Sequence, residues 1–357
     1  MERYVIKVKV GEEEITFETG KIAKQANGAV IARAGDTMVF SAVTAAEKPA
    51  DNIDFLPLKV DYQEKFSSAG KTLGGFIKRE GRPSEKEILV SRLIDRPIRP
   101  MFEDGYFNET QILSFVWSYD GVNSPEPLAI CSAAAALTLS DIPLIKPVAS
   151  VRVGLVNGHF ILNPTVEHQN QSKLDLLIAG TEDAVLMIEG YCDFLTEEQV
   201  IEAIELGHSG IRIICKALAD WRTQIGKPKK EGILRPIPKA VIHEVEKILQ
   251  PVLNAALKIG DKKEREAALS DAHGKVHAQL CPEGESAPKY APLDVTAAIK
   301  KVTSHYMRRM IVDEGIRSDG RSTKDIRRID IEQGLLPRTH GSSLFTRGET
   351  QSLAVLS

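Results

Sequence analysis

A cation-rich segment at positions 74–102, "GGFIKREGRPSEKEILVSRLIDRPIRPMF", contains the side chains best suited to bind a polyanion. Phe76 offers a ring that can stack on a nucleic-acid base, and Lys78 and Arg79 lie beside it with charges for phosphates. Arginine forks fit phosphate oxygens better than lysine does. The segment holds seven cations, although the formal net charge of the chain is −3: Lys78, Arg79, Arg82, Lys86, Arg92, Arg96 and Arg99.

A helix is predicted inside this segment. Ser84 begins it, because Glu87 three residues later completes a capping box, and Pro97 is expected to end it. The spacing i, i+4, i+7 puts one basic face on this helix, formed by Arg92, Arg96 and Arg99. A solvated helix face neutralised by nearby carboxylates is the simpler alternative. The paired glycine, the aromatic ring and the arginine spacing together favour phosphate or RNA binding.

Metal-ligand patterns are weak in this sequence. His273 and His277 are four residues apart on a predicted helix, but no glutamate follows His273 as in an H-E-x-x-H motif. Ordinary surface histidines are the preferred interpretation. Asp51, Asp54 and Asp61 are scattered over a loop and a strand, so they predict no tight carboxylate cluster.

Other phosphate-binding and nucleophilic motifs are also missing. The chain has no G-x-x-x-x-G-K-[ST] loop, and Gly74-Gly75-Phe76 does not follow a strand as a dinucleotide fingerprint would. Ser67 and Ser68 have no histidine nearby in the sequence, so a nucleophilic serine is not expected.

Composition predicts an ordinary globular protein. The 357 residues call for two or more domains, and a pI near 6.3 gives no general attraction to nucleic acid. Four widely spaced cysteines fit a reducing cytosol better than a disulfide framework. The N-terminus, "MERYVIKVKVGEEE", does not resemble a signal peptide, and no apolar run reaches the ~20 residues of a membrane span. We therefore expect a cytoplasmic protein with no membrane contact.

Runs of strands separated by helices favour an α+β fold. The first strand is predicted over Tyr4–Val10 from its alternating pattern, and small-residue and long helices are predicted over 125–140 and 196–221. "GKPKKEG" at 226–232 reads as a linker, and residues 238–314 predict a small three-helix domain. The expected domains are 1–226, a linker 227–237, an all-helical domain 238–314 and a further domain beginning at 315.

An internal repeat links the two ends of the chain. "GAVIARAGDTMVFSAVT" at 28–44 aligns without a gap to "GSSLFTRGETQSLAVLS" at 341–357, and "FETG" at 17–20 matches "IEQG" at 331–334. We therefore expect a second copy of the first domain that has only begun at Ser357, in a fragment of a longer protein. The second copy places His340 and Arg347 where the first has Asn27 and Ala34, so it is the copy that looks equipped for chemistry.

The cation-rich segment, "IRSDGR" at 316–321 and "HGSSLFTRGET" at 340–350 together closely resemble the polyribonucleotide nucleotidyltransferase (polynucleotide phosphorylase) family. The resemblance covers essentially the whole chain. It implies an RNase PH-like domain (ribosomal protein S5 domain 2-like), an all-helical domain and the start of a second RNase PH-like domain.

The implied activity is phosphate-dependent 3′-to-5′ exoribonuclease action on single-stranded RNA, which releases nucleoside diphosphates for mRNA degradation. Inorganic phosphate is the implied substrate, and Mg²⁺ the implied cofactor, bound by parts of the second RNase PH-like domain beyond Ser357. No metal ligand is therefore expected within this chain, and the fragment alone is expected to be inactive. Family members form homotrimeric rings and join RNA degradosome components, an endoribonuclease and a helicase.

The resemblance also assigns residues. The channel-constricting aromatic and basic loop of the family falls on Phe76, Ile77, Lys78 and Arg79, where Ile77 replaces a second aromatic ring. Arg347 matches the arginine beside the active site of the second domain. The RNA-binding set implied for this chain is Phe76, Lys78, Arg79, Arg82, Arg92, Arg96 and Arg99.

Three alternatives stay open on the sequence. The chain could belong to a non-catalytic RNA-binding ring component of an exosome-like assembly, although the Arg347 motif argues against this for the longer protein. A hydrolytic exoribonuclease would need a two-metal carboxylate cluster that the sequence does not show. The basic helix could instead serve only a trimer interface.

Overall fold

The computed structural model describes residues 3–50, 53–74, 80–231, 233–282 and 288–356. The chain divides into two compact units, Met1–Pro236 and Ile237–Ser357, each with its own hydrophobic core. Strands in runs with helices between them confirm the predicted α+β class. None of the helices in the described ranges is long and apolar enough to span a membrane.

A six-stranded sheet opens the first unit. Its strands are β1 (Tyr4–Val10), β2 (Glu13–Thr19), β3 (Gly28–Ala34), β4 (Thr37–Ala45), β5 (Leu58–Glu64) and β6 (Thr110–Ser118). The spatial order is β1-β2-β3-β4-β6-β5, and only β5 and β6 pair in parallel. In β1, Val8 and Val10 are buried while Lys7 and Lys9 are exposed, which confirms the predicted half-buried strand.

Helix α1 (Glu85–Ile98) makes the crossover between the parallel strands β5 and β6. The prediction that Pro97 ends this helix is wrong, because the helix runs through Pro97 to Ile98. A proline removes one N–H and crowds the carbonyl four residues earlier. In the last turn that cost is small, and the backbone N–H of Arg99, at the C-cap, still donates to Asp95 O.

Helix α2 (Pro125–Leu139) is buried almost completely, as its small residues predict. On one side Ser132 Oγ donates to Val30 O at 2.9 Å, and on the other Cys131 Sγ donates to Ser150 O at 3.3 Å. Gly28 lies so close to this helix that a Cβ there would overlap the carbonyl oxygen of Ala136. The helix is therefore clamped between two layers of backbone.

A second sheet covers the other side of α2. Its strands are β7 (Ala149–Val156), β8 (His159–Leu162), β9 (Leu174–Gly180) and β10 (Val185–Cys192), in the order β10-β9-β7-β8. A short helix, α3 (Val166–Gln171), lies between β8 and β9, and the long α4 (Glu197–Ile225) follows β10. Helix α3 is not predicted from the sequence.

The segment after α4 lies against the C-terminal end of α2. The ammonium of Lys229 donates to Leu137 O at 2.8 Å, Thr138 O at 3.2 Å and Ser140 O at 2.8 Å. Lys230 N donates to Asp141 O at 2.8 Å. A cation on the free carbonyls of a helix end is favourable, so these lysines attach the segment to the first unit.

The second unit begins with three helices, α5 (Lys239–Leu257), α6 (Lys262–Leu280) and α7 (Pro292–Glu314). Helical spacing of apolar residues builds their core; in α5, Val241, Val245 and Leu249 are all buried. Three strands follow as one antiparallel sheet: β11 (Ile329–Gln333), β12 (Gly341–Arg347) and β13 (Thr350–Leu356).

The strands confirm the internal repeat at the level of register. Gly28 pairs with Val43 across β3 and β4, and their counterparts Gly341 and Leu356 pair across β12 and β13. The turns also agree, since Gly35 and Gly348 have φ of 55° and 62°. Such left-handed turns favour glycine, so the matched Gly-acid-Thr sequences build the same hairpin twice.

Candidate nucleic-acid interface

The capping box predicted at the start of α1 is present and sets the direction of its basic face. Ser84 Oγ accepts from Glu87 N at 3.3 Å, and Glu87 Oε2 accepts from Ser84 N at 2.6 Å. Val90 and Ile94 on the opposite face are buried in the core. The helix is therefore held rigidly, with its arginines at the surface.

The three arginines on α1 and at its C-cap differ in how they are held. Arg92 is exposed, and its side chain has no hydrogen bond or ion pair to any other residue that the structure describes. Arg96 Nη1 pairs with Glu189 Oε2 of β10 at 2.5 Å. Arg99 binds Asp95 with two N–H groups, at 2.7 and 3.0 Å, so its fork is already occupied. Arg92 is thus the most available of the three for a phosphate.

Arg99 also has a structural task that its sequence position did not reveal. Its Nη1 donates to Leu56 O and its Nη2 to Leu58 O, both at 3.1 Å. These bonds join the end of α1 to the start of β5. An anion at this position would compete with hydrogen bonds that hold the fold.

Three of the predicted RNA-binding residues, Phe76, Lys78 and Arg79, lie outside the described residues. Arg82 is described; it is exposed and has no ion pair among the described residues. It lines a cleft of about 660 Å³ beside the N-terminal end of α1. Gly74 and Glu80, the described residues on either side of 75–79, line the same cleft.

Carboxylates in this cleft are already paired. Glu80 Oε2 accepts from Lys65 Nζ at 2.7 Å, and this bond holds the pKa of Glu80 below its ordinary value. Glu64 pairs with Lys86 at 2.9 Å and accepts from Tyr62 Oη at 2.9 Å. The cleft is therefore close to electrically balanced rather than strongly basic.

An aromatic residue of the cleft was missed by sequence reasoning. Phe66 begins a single 3₁₀ turn, Phe66–Ala69, and its side chain is 48% exposed while lining the cleft. The sequence offered one signal, an aromatic residue directly after a strand and a lysine. Ser68 Oγ donates to Lys65 O at 2.6 Å, a local turn contact.

The described residues contain no group of three or more His, Cys, Asp or Glu side chains that could hold a metal ion. His273 Nε2 lies 3.3 Å from Thr303 Oγ1, and His277 Nδ1 lies 3.2 Å from Cys281 Sγ. Burial lowers the pKa of His273, and nearby His277 adds to this. Asp61 Oδ2 accepts from Gln111 Nε2 at 2.9 Å, and Asp51 lies outside the described residues. The side chains described here therefore do not fit a Mg²⁺ site.

The second copy holds its two distinctive residues apart. His340 directly precedes β12 and Arg347 ends it, so about 23 Å of extended chain separates them. In the first copy the counterparts serve the fold. Asn27 Nδ2 donates to Asp141 Oδ1 at 2.9 Å, and Ala34 is buried. His340 and Arg347 therefore cannot meet at one reacting atom.

Comparison with known proteins explains this two-unit arrangement. Residues 12–143 match the 3′ exoribonuclease family, domain 1, and residues 146–210 match domain 2 of that family. Residues 240–322 match the RNA binding domain of polyribonucleotide nucleotidyltransferase. The first unit thus defines the class: it is a 3′ exoribonuclease fold of the RNase PH type, followed by helices of a known RNA-binding type.

Relatives narrow the class further. The chain is 64% identical to the polyribonucleotide nucleotidyltransferase of Protochlamydia amoebophila over 99% of its length and 51% of the relative. It is 55% identical to that of Chlamydia felis and 52% to that of Chlamydia pneumoniae, over 96% of this chain and 49% of each relative. The chain therefore belongs to the polyribonucleotide nucleotidyltransferase family. It spans about half the length of the curated relatives it matches.

Among solved structures, the crystal structure of rice (Oryza sativa) Rrp46 aligns with 61% of this chain and 96% of that chain. The TM-score is 0.47 and the sequence identity is 17%.

Proposed function

We propose that this chain is part of a phosphate-dependent 3′-to-5′ exoribonuclease that shortens single-stranded RNA and releases nucleoside diphosphates. The observation that carries the proposal is the 64% identity to a polyribonucleotide nucleotidyltransferase over 99% of this chain. The exposed cations Arg82, just before α1, and Arg92, in the middle of α1, fit the RNA substrate.

In the proposed reaction, an oxygen of inorganic phosphate attacks the phosphorus of the last phosphodiester. A new P–O bond forms, the bond to the 3′ oxygen of the preceding nucleotide breaks, and a nucleoside diphosphate leaves. Bringing two anions together requires charge neutralisation, which arginines and a bound Mg²⁺ supply. The described side chains do not fit Mg²⁺, so we assign its ligands to residues outside this chain.

This chain's own task is to hold RNA. Arg82 and Arg92 attract phosphates from the surface of the first unit, and Arg96 reaches RNA only by exchanging its partner Glu189. Arg347 lies near the active site of the second RNase PH-like domain. The complete RNA-binding set that we propose is Phe76, Lys78, Arg79, Arg82, Arg92, Arg96 and Arg99.

A non-catalytic role is the second candidate, and one observation favours it. In the first copy, the counterparts of His340 and Arg347 serve the fold, so the first unit has no equivalent of that pair. A ring component that only binds RNA would have the same features. We propose that catalysis resides in the longer protein and that this chain alone is inactive.

We further propose the domain division 1–226, 227–237, 238–314 and 315–357, and a homotrimeric, cytoplasmic assembly that contacts RNA degradosome components. Family membership supports the assembly and its location. The boundary between the compact units after Pro236 and the start of the RNA-binding match at residue 240 support the division between the linker and the helical domain.

The test uses the longer protein with labelled oligoadenylate and Mg²⁺, with and without phosphate. Nucleoside diphosphate release that requires phosphate is the expected result. Nucleoside monophosphate release without phosphate would show a hydrolase and overturn the proposal. RNA binding with no release under either condition would support the non-catalytic candidate instead.

A further inference from the structure

The cleft beside α1 has the shape and chemistry of a site for one nucleic-acid base. Its volume of about 660 Å³ lies within the roughly 300–1,000 Å³ typical of small-ligand sites. Phe66, Leu73 and Tyr119 contribute apolar surface to its lining. An aromatic ring that is half exposed inside a cleft is an available stacking surface.

The turn that presents Phe66 is well fixed. Tyr119 N donates to Ser68 O at 2.9 Å, which joins the turn to the end of β6. Glu80 Oε1 accepts from Phe66 N at 3.3 Å, and its other oxygen accepts from Lys65. A ring on a turn anchored from two sides loses little conformational freedom when a ligand stacks on it.

The charges favour a base over a phosphate. Two cations, Lys65 and Arg82, and three carboxylates, Glu64, Glu80 and Glu87, line the cleft. Lys65 is already paired with Glu80, so its charge is neutralised locally. An ionised carboxylate has about four lone-pair sites, so these carboxylates can accept a further hydrogen bond even while paired, and they suit a base edge with an exocyclic amino group rather than a phosphate. Arg82 remains for the phosphate attached to that base.

We propose that this cleft binds one base of the RNA substrate by stacking on Phe66, with preference for a base that carries an amino group, such as adenine, over uracil. The inference rests on the proposed function, because it names a subsite for the same RNA. Phe66 acts here as a binding residue and takes no part in bond breaking.

The test is equilibrium binding of a short oligoadenylate and a matching oligouridylate to the chain and to three variants. Phe66→Ala removes the ring, Phe66→Tyr keeps it, and Phe194→Ala removes a fully exposed ring outside the cleft. We expect Phe66→Ala to weaken oligoadenylate binding about tenfold, as loss of one stacked base does. The slope of log affinity against log salt concentration should not change, because no phosphate contact is lost. Phe66→Tyr and Phe194→Ala should bind like the parent chain.

An abasic scan of the oligoadenylate adds a second readout. Removing the stacked base should weaken binding to the parent chain but not weaken it further in Phe66→Ala, because both changes delete one interaction. Equal affinities for the parent chain and Phe66→Ala, or an equal loss in Phe194→Ala, would overturn the subsite and leave the proposed function standing. A changed salt slope in Phe66→Ala would also overturn it. No binding of either RNA by the parent chain would instead refute the proposed function.

Discussion

At the scale of single residues, the arginines on α1 and at its C-cap differ in how available they are for a phosphate. Arg92 is exposed and unpaired among the described residues, whereas Arg96 pairs with Glu189 and Arg99 with Asp95. Exposed ion pairs are weak, so Arg96 can exchange its partner for a phosphate at little cost. Arg99 cannot do so as easily, because it also holds the backbone of β5.

Arg92→Ala should therefore weaken RNA binding several-fold. The slope of log affinity against log salt concentration should become less steep by about one, because one phosphate contact and its released counterion are lost. Lys9→Ala is the matched control, because Lys9 is also an exposed cation but lies on β1, at the edge of the sheet opposite β5. Binding measured over a series of salt concentrations checks both variants. Equal effects of the two changes would mean that net charge alone attracts RNA.

The hydrogen bonds of Asp120 lead us to expect that the stability of the folded chain depends on pH. Burial alone would raise its pKa, but N–H groups of Asn123 and Val122 and the hydroxyl of Thr37 donate to it and hold the pKa well below its ordinary value. The unfolded chain then binds more protons in acid, so this stabilisation is present above about pH 4 and is lost as the pH falls further.

Asp120→Asn should accordingly lower the free energy of unfolding by roughly 1 kcal/mol near neutral pH, and the difference should shrink in acid. Urea unfolding of both proteins across this pH range measures it. A difference that stays constant down to the lowest pH would show that the charge of Asp120 contributes nothing.

At the scale of elements, the close contact between α2 and β3 depends on the absence of a side chain at Gly28. Gly28→Ala should destabilise the first unit by about 1–3 kcal/mol, because its Cβ would overlap a backbone carbonyl that cannot move freely. Gly81→Ala is the control, since a Cβ at Gly81 meets no atom within 4 Å. Thermal unfolding of the two variants should differ; equal melting temperatures would mean that α2 can shift to accept the methyl group.

Local sequence signals predicted which helices form better than they predicted where each helix ends. The capping box of Ser84 correctly predicted the start of α1, because it is a property of four adjacent residues. Pro97 misled the prediction of its end, since a proline costs little in a last turn. The short α3 was missed because its six residues give too short a pattern for helical periodicity.

The cleft could not be predicted from local patterns. It joins Phe66 and Tyr119, which are far apart in sequence and meet because β5 and β6 pair in parallel and end at the same edge of the sheet. Periodicity describes neighbours along the chain and carries no information on such long-range pairing. The cations of the segment, in contrast, were visible as a composition shift within a nearly neutral chain.

At the scale of the whole molecule, the repeated hairpin shows a duplicated fold with divergent chemistry. Both copies keep the glycine turn and the strand register, which are requirements of the backbone. They differ at two positions, where Asn27 and Ala34 of the first copy correspond to His340 and Arg347 of the second. The strand register does not determine the side chains at these positions. In the function that we propose, the first copy holds RNA and the second serves catalysis.

The most direct test of this account is release of nucleoside diphosphate from labelled oligoadenylate by this chain alone, with Mg²⁺ and phosphate, beside binding of the same RNA. The account predicts binding that weakens steeply with salt, as phosphate contacts do, and no release, because the described residues contain no cluster of side chains that could hold a metal ion. Phosphate-dependent release of nucleoside diphosphate by this chain alone would contradict the account, because it would place an active site among the RNA-binding residues of this chain.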